Sequence, residues 1–327
     1  MKSDMKTWLK ITGLAGLAAV LLALSLPASA QTAYPAHAIT IVLPFGPGSG
    51  TDLVSRVLGQ RLSSALGQPV VIDNRPGANG TVAATYVANA KPDGYTLFMG
   101  TNSTHGANPA LQKAITYDPV KDFTGVNRIA VFTSIVVVDP ALPVKNMREL
   151  ITYGKTNQLT LATGNASGVV MGETLARAVQ WKLLRVPYKS NPQAMMDVMG
   201  GRVNFMFTDI AAAQSQVKTG KLRAVAAATA QRSALMPDLP TLAESGVPGY
   251  DLSGWVGLFA PVATPRPIVE KLNAEITKIL NDPDMRTKVA DIGADASPMS
   301  AADFTTWMHS EVQKWTSLVK QAGMEPE

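Results

Sequence analysis

Ile39-Thr40-Ile41-Val42-Leu43-Pro44-Phe45-Gly46-Pro47-Gly48-Ser49-Gly50-Thr51-Asp52 decides the fold. The first five residues are a short apolar run of strand length. Two prolines and three glycines then exclude helix. Beyond Asp52, apolar residues recur at helical spacing (Val54, Val57, Leu58, Leu62, Ala65) until Gly67 stops them. Strand, glycine-rich loop and helix are the opening unit of a parallel α/β sheet. The same alternation continues downstream: strand Val70–Ile72, a turn over Asn74–Gly80, a helix near Thr81–Ala90, a turn at Lys91–Gly94 and strand Tyr95–Met99.

A second set of alternating elements follows. The apolar run Arg128–Val138 is long for one strand and is expected to carry the chain from one lobe into another. There Asn146 and Glu149 mark a helix start. Leu159–Ala162 reads as a strand, Thr163–Ser167 as a loop and Gly168–Val179 as a helix, while Asn191-Pro192 opens another helix. Val203–Phe207 and Ala224–Ala228 read as further strands. Trp255–Ala260 is expected to lead back to the first lobe, with only helices after it: Pro267–Leu280, Pro283–Asp291 and Ser300–Ala322, covering lobe one. The expected architecture is α/β, with two lobes, each a mostly parallel sheet flanked by helices. Residues 31–130 plus 255–327 form lobe 1, residues 131–254 form lobe 2, and two crossings make a hinge.

Residues 1–30 carry Lys2, Lys6 and Lys10, then the apolar stretch Ile11–Leu26, then Ala28-Ser29-Ala30. This is the pattern of a cleaved signal peptide, and it places the mature chain, from Gln31, outside the cytoplasm. The whole chain of 327 residues carries +5; the leader holds three Lys and one Asp, so about +3 remains. So small an excess, with few aromatics, argues against a nucleic-acid partner. With no Cys, thiolate chemistry, disulfides and Cys-based metal sites are ruled out. The three His are far apart in sequence, so neither a metal nor a cofactor is expected.

Ligands of open parallel sheets sit where strands hand over to helices. Three places there have suitable composition. In Pro44–Asp52, Gly46, Gly48 and Gly50 let the main chain come close to a ligand, and Ser49, Thr51 and Asp52 stand at a helix start whose amides and dipole favour anions. The Lys-Ser/Thr ending of a nucleotide loop is missing. Gly164-Asn165-Ala166-Ser167-Gly168 is a loop of the same kind in the other lobe. Gly100–Thr104 and Thr208-Asp209 offer neutral donors and acceptors and one carboxylate. All of these also fit plain caps and turns. Asp209 would repel a carboxylate unless it bound water or an amine. Ser167 lacks the flanking glycines of a hydrolase elbow. Trp181, Tyr188 and Trp255 could line a cleft, but read first as core aromatics.

Seven motifs then occur in order: Tyr34-Pro35 with Pro44-Phe45-x-Pro47-Gly48-x-x-x-Asp52, Asn74-Arg75-Pro76-Gly77-Ala78-x-Gly80, Pro92-Asp93-Gly94-Tyr95-Thr96-Leu97, Tyr117-Asp118-Pro119-x-x-Asp122-Phe123, Val186-Pro187-Tyr188-Lys189 and Gly220-Lys221-Leu222-Arg223-Ala224. From about Tyr34 to Gly323 the chain resembles the Bug family, the solute receptors of tripartite tricarboxylate transporters. The resemblance implies a two-lobed periplasmic binding protein of type II-like, Venus-flytrap form, with no enzymatic activity. It implies a small organic carboxylate (di-, tri- or aromatic) held between the two helix-start loops, often through water. It also implies two integral-membrane permease subunits as partners, and a monomeric receptor in the periplasm. A receptor that presents its ligand to a sensor kinase, and a secreted hydrolase, are the alternatives. The expected ligand contacts are Phe45, Gly46, Ser49, Gly50, Thr51, Asp52, Asn79, Thr101, Asn102, Asn165, Ala166, Ser167, Thr208 and Asp209. The chain departs from the family pattern at Ser49 (usually Gly), Val169 (often His) and Thr208-Asp209 (usually Asp-Ser or Asp-Asn). The Val169 change suggests a less polar pocket end, suited to a longer aliphatic or an aromatic carboxylate.

Overall fold

The computed structural model describes residues 34–326; the expected leader, residues 1–30, lies outside them. The opening unit folds as its sequence predicts. Strand β1 (Ile39–Leu43) leads through the glycine loop into helix α1 (Gly50–Leu66), which Gly67 ends at φ 67°. Then come β2 (Val70–Asn74), α2 (Thr81–Ala88) and β3 (Thr96–Thr101). Where a loop was expected after Gly100, the chain instead forms a π-helix, Asn102–Ala107, which runs into α3 (Asn108–Leu111).

The long apolar run divides at Thr133 into β4 (Phe123–Phe132) and β5 (Ser134–Val138). There follow α4 (Met147–Thr156), β6 (Leu159–Thr163), α5 (Ala166–Val179), β7 (Leu183–Pro187), α6 (Asn191–Met199), β8 (Phe205–Asp209), α7 (Ile210–Lys218) and β9 (Arg223–Ala227). Strand β10 (Gly254–Pro261) brings the chain back, and α8 (Arg266–Asn281), α9 (Pro283–Ile292), the short β11 (Ala294–Ala296) and α10 (Ala301–Gln321) complete it. The predicted cap at Asn146 forms, the Glu149 amide donating to Asn146 Oδ1 at 3.0 Å, and Ser300 caps the last helix in the same way, its Oγ accepting from the Asp303 amide at 3.1 Å.

The six-stranded sheet runs β11-β4-β10-β3-β1-β2 and the five-stranded sheet β7-β6-β8-β5-β9. Each has a parallel core of three strands, β2-β1-β3 and β7-β6-β8. The rest of each sheet is antiparallel, so the sheets are mixed, not mostly parallel. The reason is the pair of crossings. A strand that leaves for the other lobe, and one that returns, lie beside the parallel core in the opposite direction without a covering helix.

The tail also differs from expectation. It adds the strand β11, which pairs with β4, and α10 serves both lobes. Phe304 and Met308 pack with Phe98, Trp255 and Phe259. Two turns further on, Trp315 and Val319 join the core around Val136, Leu161, Val170 and Phe205. One apolar stripe along 21 residues makes about 30 Å of helix, enough to reach from one sheet to the other.

Candidate functional site

The two glycine-containing loops and the π-helix meet at the seam between the sheets. Ser103 Oγ and Ser167 Oγ lie 2.8 Å apart, and the Ser167 amide donates to Ser103 Oγ at 3.1 Å. Ser167 Oγ also reaches Asn165 Oδ1 at 2.9 Å. His105 has no part in this. It is fully buried, stacked on Phe259 with ring centroids 4.0 Å apart, and desolvation lowers its pKa to about 3. The arrangement Ser167–His105–Asp that a hydrolase would need is not built.

Behind this clasp lies a cavity of about 50 Å³. An ordered water needs about 10–15 Å³ on that measure, so the shut cleft has room for a few waters or for the polar groups of a ligand. Four α-helix starts border it. Helix α1 contributes Ser49, Gly50 and Thr51, helix α5 contributes Asn165, Ser167 and Gly168, helix α6 contributes Asn191, and helix α7 contributes Thr208 and Asp209. The first amides of a helix precede its internal ladder, and the dipole leaves partial positive charge there. Three of the starts carry a side-chain cap: Ser49 Oγ accepts from the Asp52 amide, Asn165 Oδ1 from the Gly168 amide, and Asp209 Oδ1 from the Ala212 amide. On α7 the first amide, of Ile210, already donates to the Thr133 carbonyl. The caps shape the same helix starts that border the cavity, so the two readings of these loops do not compete.

Of the sequence candidates, Phe45, Ser49, Gly50, Thr51, Thr101, Asn102, Asn165, Ser167, Thr208 and Asp209 line this cavity. Four do not. Ala166 is buried in the core of the second lobe. A Cβ on Gly46 would lie 3.1 Å from Ser190 Oγ, so Gly46 serves the close approach of the lobes. Asn79, at φ 54°, lines a separate outer cleft together with Lys113, Val169 and Arg185. Val169 thus lies off the cavity and does not set the polarity of its end.

Asp52 is the fourth, and it holds the loop in shape. Its carboxylate accepts from the Gly48 amide at 3.0 Å, from Arg56 at 2.8 and 3.0 Å and from Asn74 Nδ2 at 3.0 Å, and the same Asn74 amide reaches the Phe45 carbonyl at 2.8 Å. Burial by itself would raise the Asp52 pKa, but the bonds from Arg56, Gly48 and Asn74 outweigh it and lower the value. A lowered folded pKa contributes stability that is present above the unfolded value of about 3.9 and is lost as pH falls through the folded value. Asp52→Asn is therefore expected to cost about 1–3 kcal/mol at pH 7, with the gap from wild type closing in urea melts below about pH 3.9.

Sequence reading did not name Phe132, Ser134, Met171, Asn191, Phe207, Gly254 or Val256; it placed Ser103 and Gly168 only within candidate loops and weighed Trp255 first as core, and all of these border the cavity. Most sit where crossing strands begin or end. Trp255, expected as core, does both: its indole donates to Glu311 Oε2 at 2.8 Å while the residue faces the cavity. Trp181 and Tyr188 lie elsewhere, Trp181 in the second core and Tyr188 on Asp197 at 2.6 Å. Two buried polar atoms on the cavity wall, Asn102 Nδ2 and Thr208 Oγ1, have no hydrogen-bond partner among the described residues. A buried polar group without a partner is costly. Both of these can donate, and both belong to residues of the cavity wall.

Two α/β lobes joined by two crossings, with helix starts and orphan donors at the seam, define a solute receptor of the two-lobed periplasmic binding class. More narrowly, the chain belongs to the tripartite tricarboxylate transporter receptor family, whose description its residues 54–324 match. A UPF0065 protein of Bordetella bronchiseptica is 34% identical over 312 residues, 95% of this chain and 93% of that protein. Among solved structures, Rpa4515 of R. palustris with adipate is similar at 34% identity and a TM-score of 0.88, covering 90% of this chain and all of that one. MatC from Rhodopseudomonas palustris with bound malate is similar at 34% identity and a TM-score of 0.83, covering 88% and 100%.

Proposed function

We propose that this chain captures a small organic carboxylate, of the di-, tri- or aromatic class, in the cavity between its lobes and hands it to two integral-membrane permease subunits. The observation that carries the reading is the meeting of four α-helix starts, with residues carrying two orphaned donors, Asn102 Nδ2 and Thr208 Oγ1, on one small cavity. Similar structures were solved with adipate and with malate, which favours the same ligand chemistry here. The ligand-binding residues are then Phe45, Ser49, Gly50, Thr51, Thr101, Asn102, Asn165, Ser167, Thr208 and Asp209, with Asp52 shaping the first loop. On this reading residues 31–130 and 255–327 make lobe 1 and residues 131–254 lobe 2. The leader 1–30 is cleaved on export to the periplasm, the receptor works as a monomer, and it turns nothing over.

Binding favours closure because only the shut form brings amides from both lobes to one anion. Moving the equilibrium from mostly open to mostly shut takes about 5.5 kcal/mol of differential affinity, which a few charge-assisted hydrogen bonds of about 1.5–3 kcal/mol each supply. A thermal-shift screen of the mature protein against di-, tri- and aromatic carboxylates tests the reading. A true ligand at 100 times its dissociation constant stabilises by about 2.7 kcal/mol. No shift with any member of the panel would end it.

A further inference from the structure

Asp209 is the feature of the cavity that a carboxylate receptor does not need. It closes β8, lies opposite Ser134 in the ladder beside the crossing at Thr133, and faces the cavity. No other residue lining the cavity is ionisable. A Cβ on Gly50 would stand 2.5 Å from Asp209 Oδ1 and 2.8 Å from its Cγ, so the carboxyl sits directly against the first turn of α1, where the amides that attract an anion begin. Beside it, Thr208 Oγ1 is buried and unpartnered.

No charge on the surrounding elements offsets it in the cavity. On α1, Asp52 and Arg56 are bound to each other. On α7, Lys218 stands at the far end of the helix. On α5, Glu173 is paired with Arg185, and on α6, Asp197 is paired with Arg202 and Tyr188; neither these nor Arg177 of α5 lines the cavity. On α9, Asp284 is paired with Arg61 and Lys288, and Arg286 donates to Asn281; Asp291, the remaining acid there, is off the cavity wall. The π-helix contributes His105, neutral in its apolar stack, and α10 contributes Glu311, bound to Trp255 and Trp315. Asp209 is partly buried and lines the cavity. Desolvation pushes its pKa up, against hydrogen bonds from the Ala212 amide and its own backbone.

Two carboxylates within a cavity this small cannot both be ionised cheaply, because like charges sharing a site raise one pKa strongly. Resting on the receptor reading above, we infer that Asp209 meets the ligand carboxylate as a neutral acid, so that each anion captured takes one proton from solvent into the site. The proton resides on the Asp209 carboxyl and is donated in a hydrogen bond to the ligand, the bond remaining with Asp209. The site then accepts an anion plus a proton and rejects a ligand that places a cation there.

The sign follows from linkage. The bound form holds the proton more tightly than the free form, so affinity weakens as pH rises between the two values, by up to tenfold per pH unit for one proton. A dicarboxylate's second carboxyl ionises above the ~4 of a lone carboxyl because the first is already charged, so the test is made above about pH 7, where the ligand's own titration contributes little. Calorimetry of adipate and malate binding from about pH 7 to 8.5, in two buffers of different ionisation heat, reads both the slope and the proton taken up. Wild type should show weakening with pH and net proton uptake. Asp209→Asn, which keeps a capping side chain for α7, should show neither, whatever its affinity. Comparing adipate with 6-aminohexanoate, which has an ammonium in place of one carboxylate, tests the charge preference, and adipate should bind tighter. A flat wild-type profile without proton uptake, an unchanged slope in Asp209→Asn, or preference for 6-aminohexanoate each overturns the inference while leaving a receptor in place. Failure of both dicarboxylates to bind wild type at any pH overturns the receptor reading for this ligand class and this inference with it.

Discussion

Gly50→Ala is expected to weaken ligand binding by about 5- to 150-fold while leaving the melting temperature of the ligand-free protein almost unchanged. The new Cβ would fall 2.5 Å from Asp209 Oδ1 and 2.8 Å from Asp209 Cγ, closer than such atoms approach without something moving. Asp209 has little freedom to move, since its Oδ1 accepts from the Ala212 amide at 2.8 Å and caps α7. Breaking that cap costs about 1 kcal/mol. But Gly50 follows β1 of one sheet and Asp209 ends β8 of the other, so opening the cleft also relieves the overlap. Overpacking of this kind costs about 1–3 kcal/mol, here charged to the shut form alone. Apparent affinity falls in proportion to the loss of the competent form, which gives the range above. Within its own lobe the change is harmless, because Ala favours helix over Gly. Calorimetry with the best ligand from the carboxylate screen, paired with a thermal melt, checks both halves. Full affinity in the variant would show that Gly50 and Asp209 do not meet in the bound form.

The strength of that expectation contrasts with how the site first read in the sequence. The loop Pro44–Asp52 was legible because proline and glycine forbid helix, and because an amphipathic run begins at once after Asp52. Its counterpart Asn165–Gly168 was legible by the same local chemistry. What escaped was nonlocal. Ser103 stands inside a quoted loop, but nothing local announces that the segment winds into a π-helix; its frame comes from Tyr117 Oη donating to the Thr104 carbonyl and from His105 stacked on Phe259. Phe132, Ser134 and Gly254 reach the cavity because β4, β5 and β10 cross between lobes, a fact of long-range pairing: Gly254 sits opposite Phe132 and Ser134 opposite Asp209. Asp52 lies off the cavity for a different reason. A carboxylate at the third helical position is a good ligand group and an equally good brace, and only the positions of Arg56 and Asn74 decide between them. The strand β11 was too short, at three residues, to leave a periodic signal.

Gly164→Ala carries the same kind of steric conflict as Gly50→Ala and should give the opposite pattern. Its Cβ would overlap the Asn191 backbone nitrogen, Asn191 Oδ1 and the Ser190 carbonyl carbon. Neither glycine needs a positive φ, so backbone strain is not the issue at either site and only the neighbour matters. At Gly164 the neighbour is main chain of the same lobe: β6 leads into Gly164, and Asn191 begins α6, which packs beside β6. Opening the cleft relieves nothing. The first turn of α6 has to move, taking with it Asn191, which lines the cavity and accepts from Asn165 Nδ2 at 3.5 Å. The expected cost is at the upper end of the 1–3 kcal/mol for overpacking, and it falls on the folded protein itself. For a chain of this size that lowers the melting temperature by roughly 2–4 °C per kcal/mol, with affinity falling as well because one wall of the site is displaced. A pair of melts with and without ligand separates the two variants: Gly50→Ala keeps its melting temperature and loses the ligand-induced shift, while Gly164→Ala loses both. If Gly164→Ala melted like wild type, the packing of the second loop against α6 would be wrong, and the cavity wall built on it would have to be redrawn.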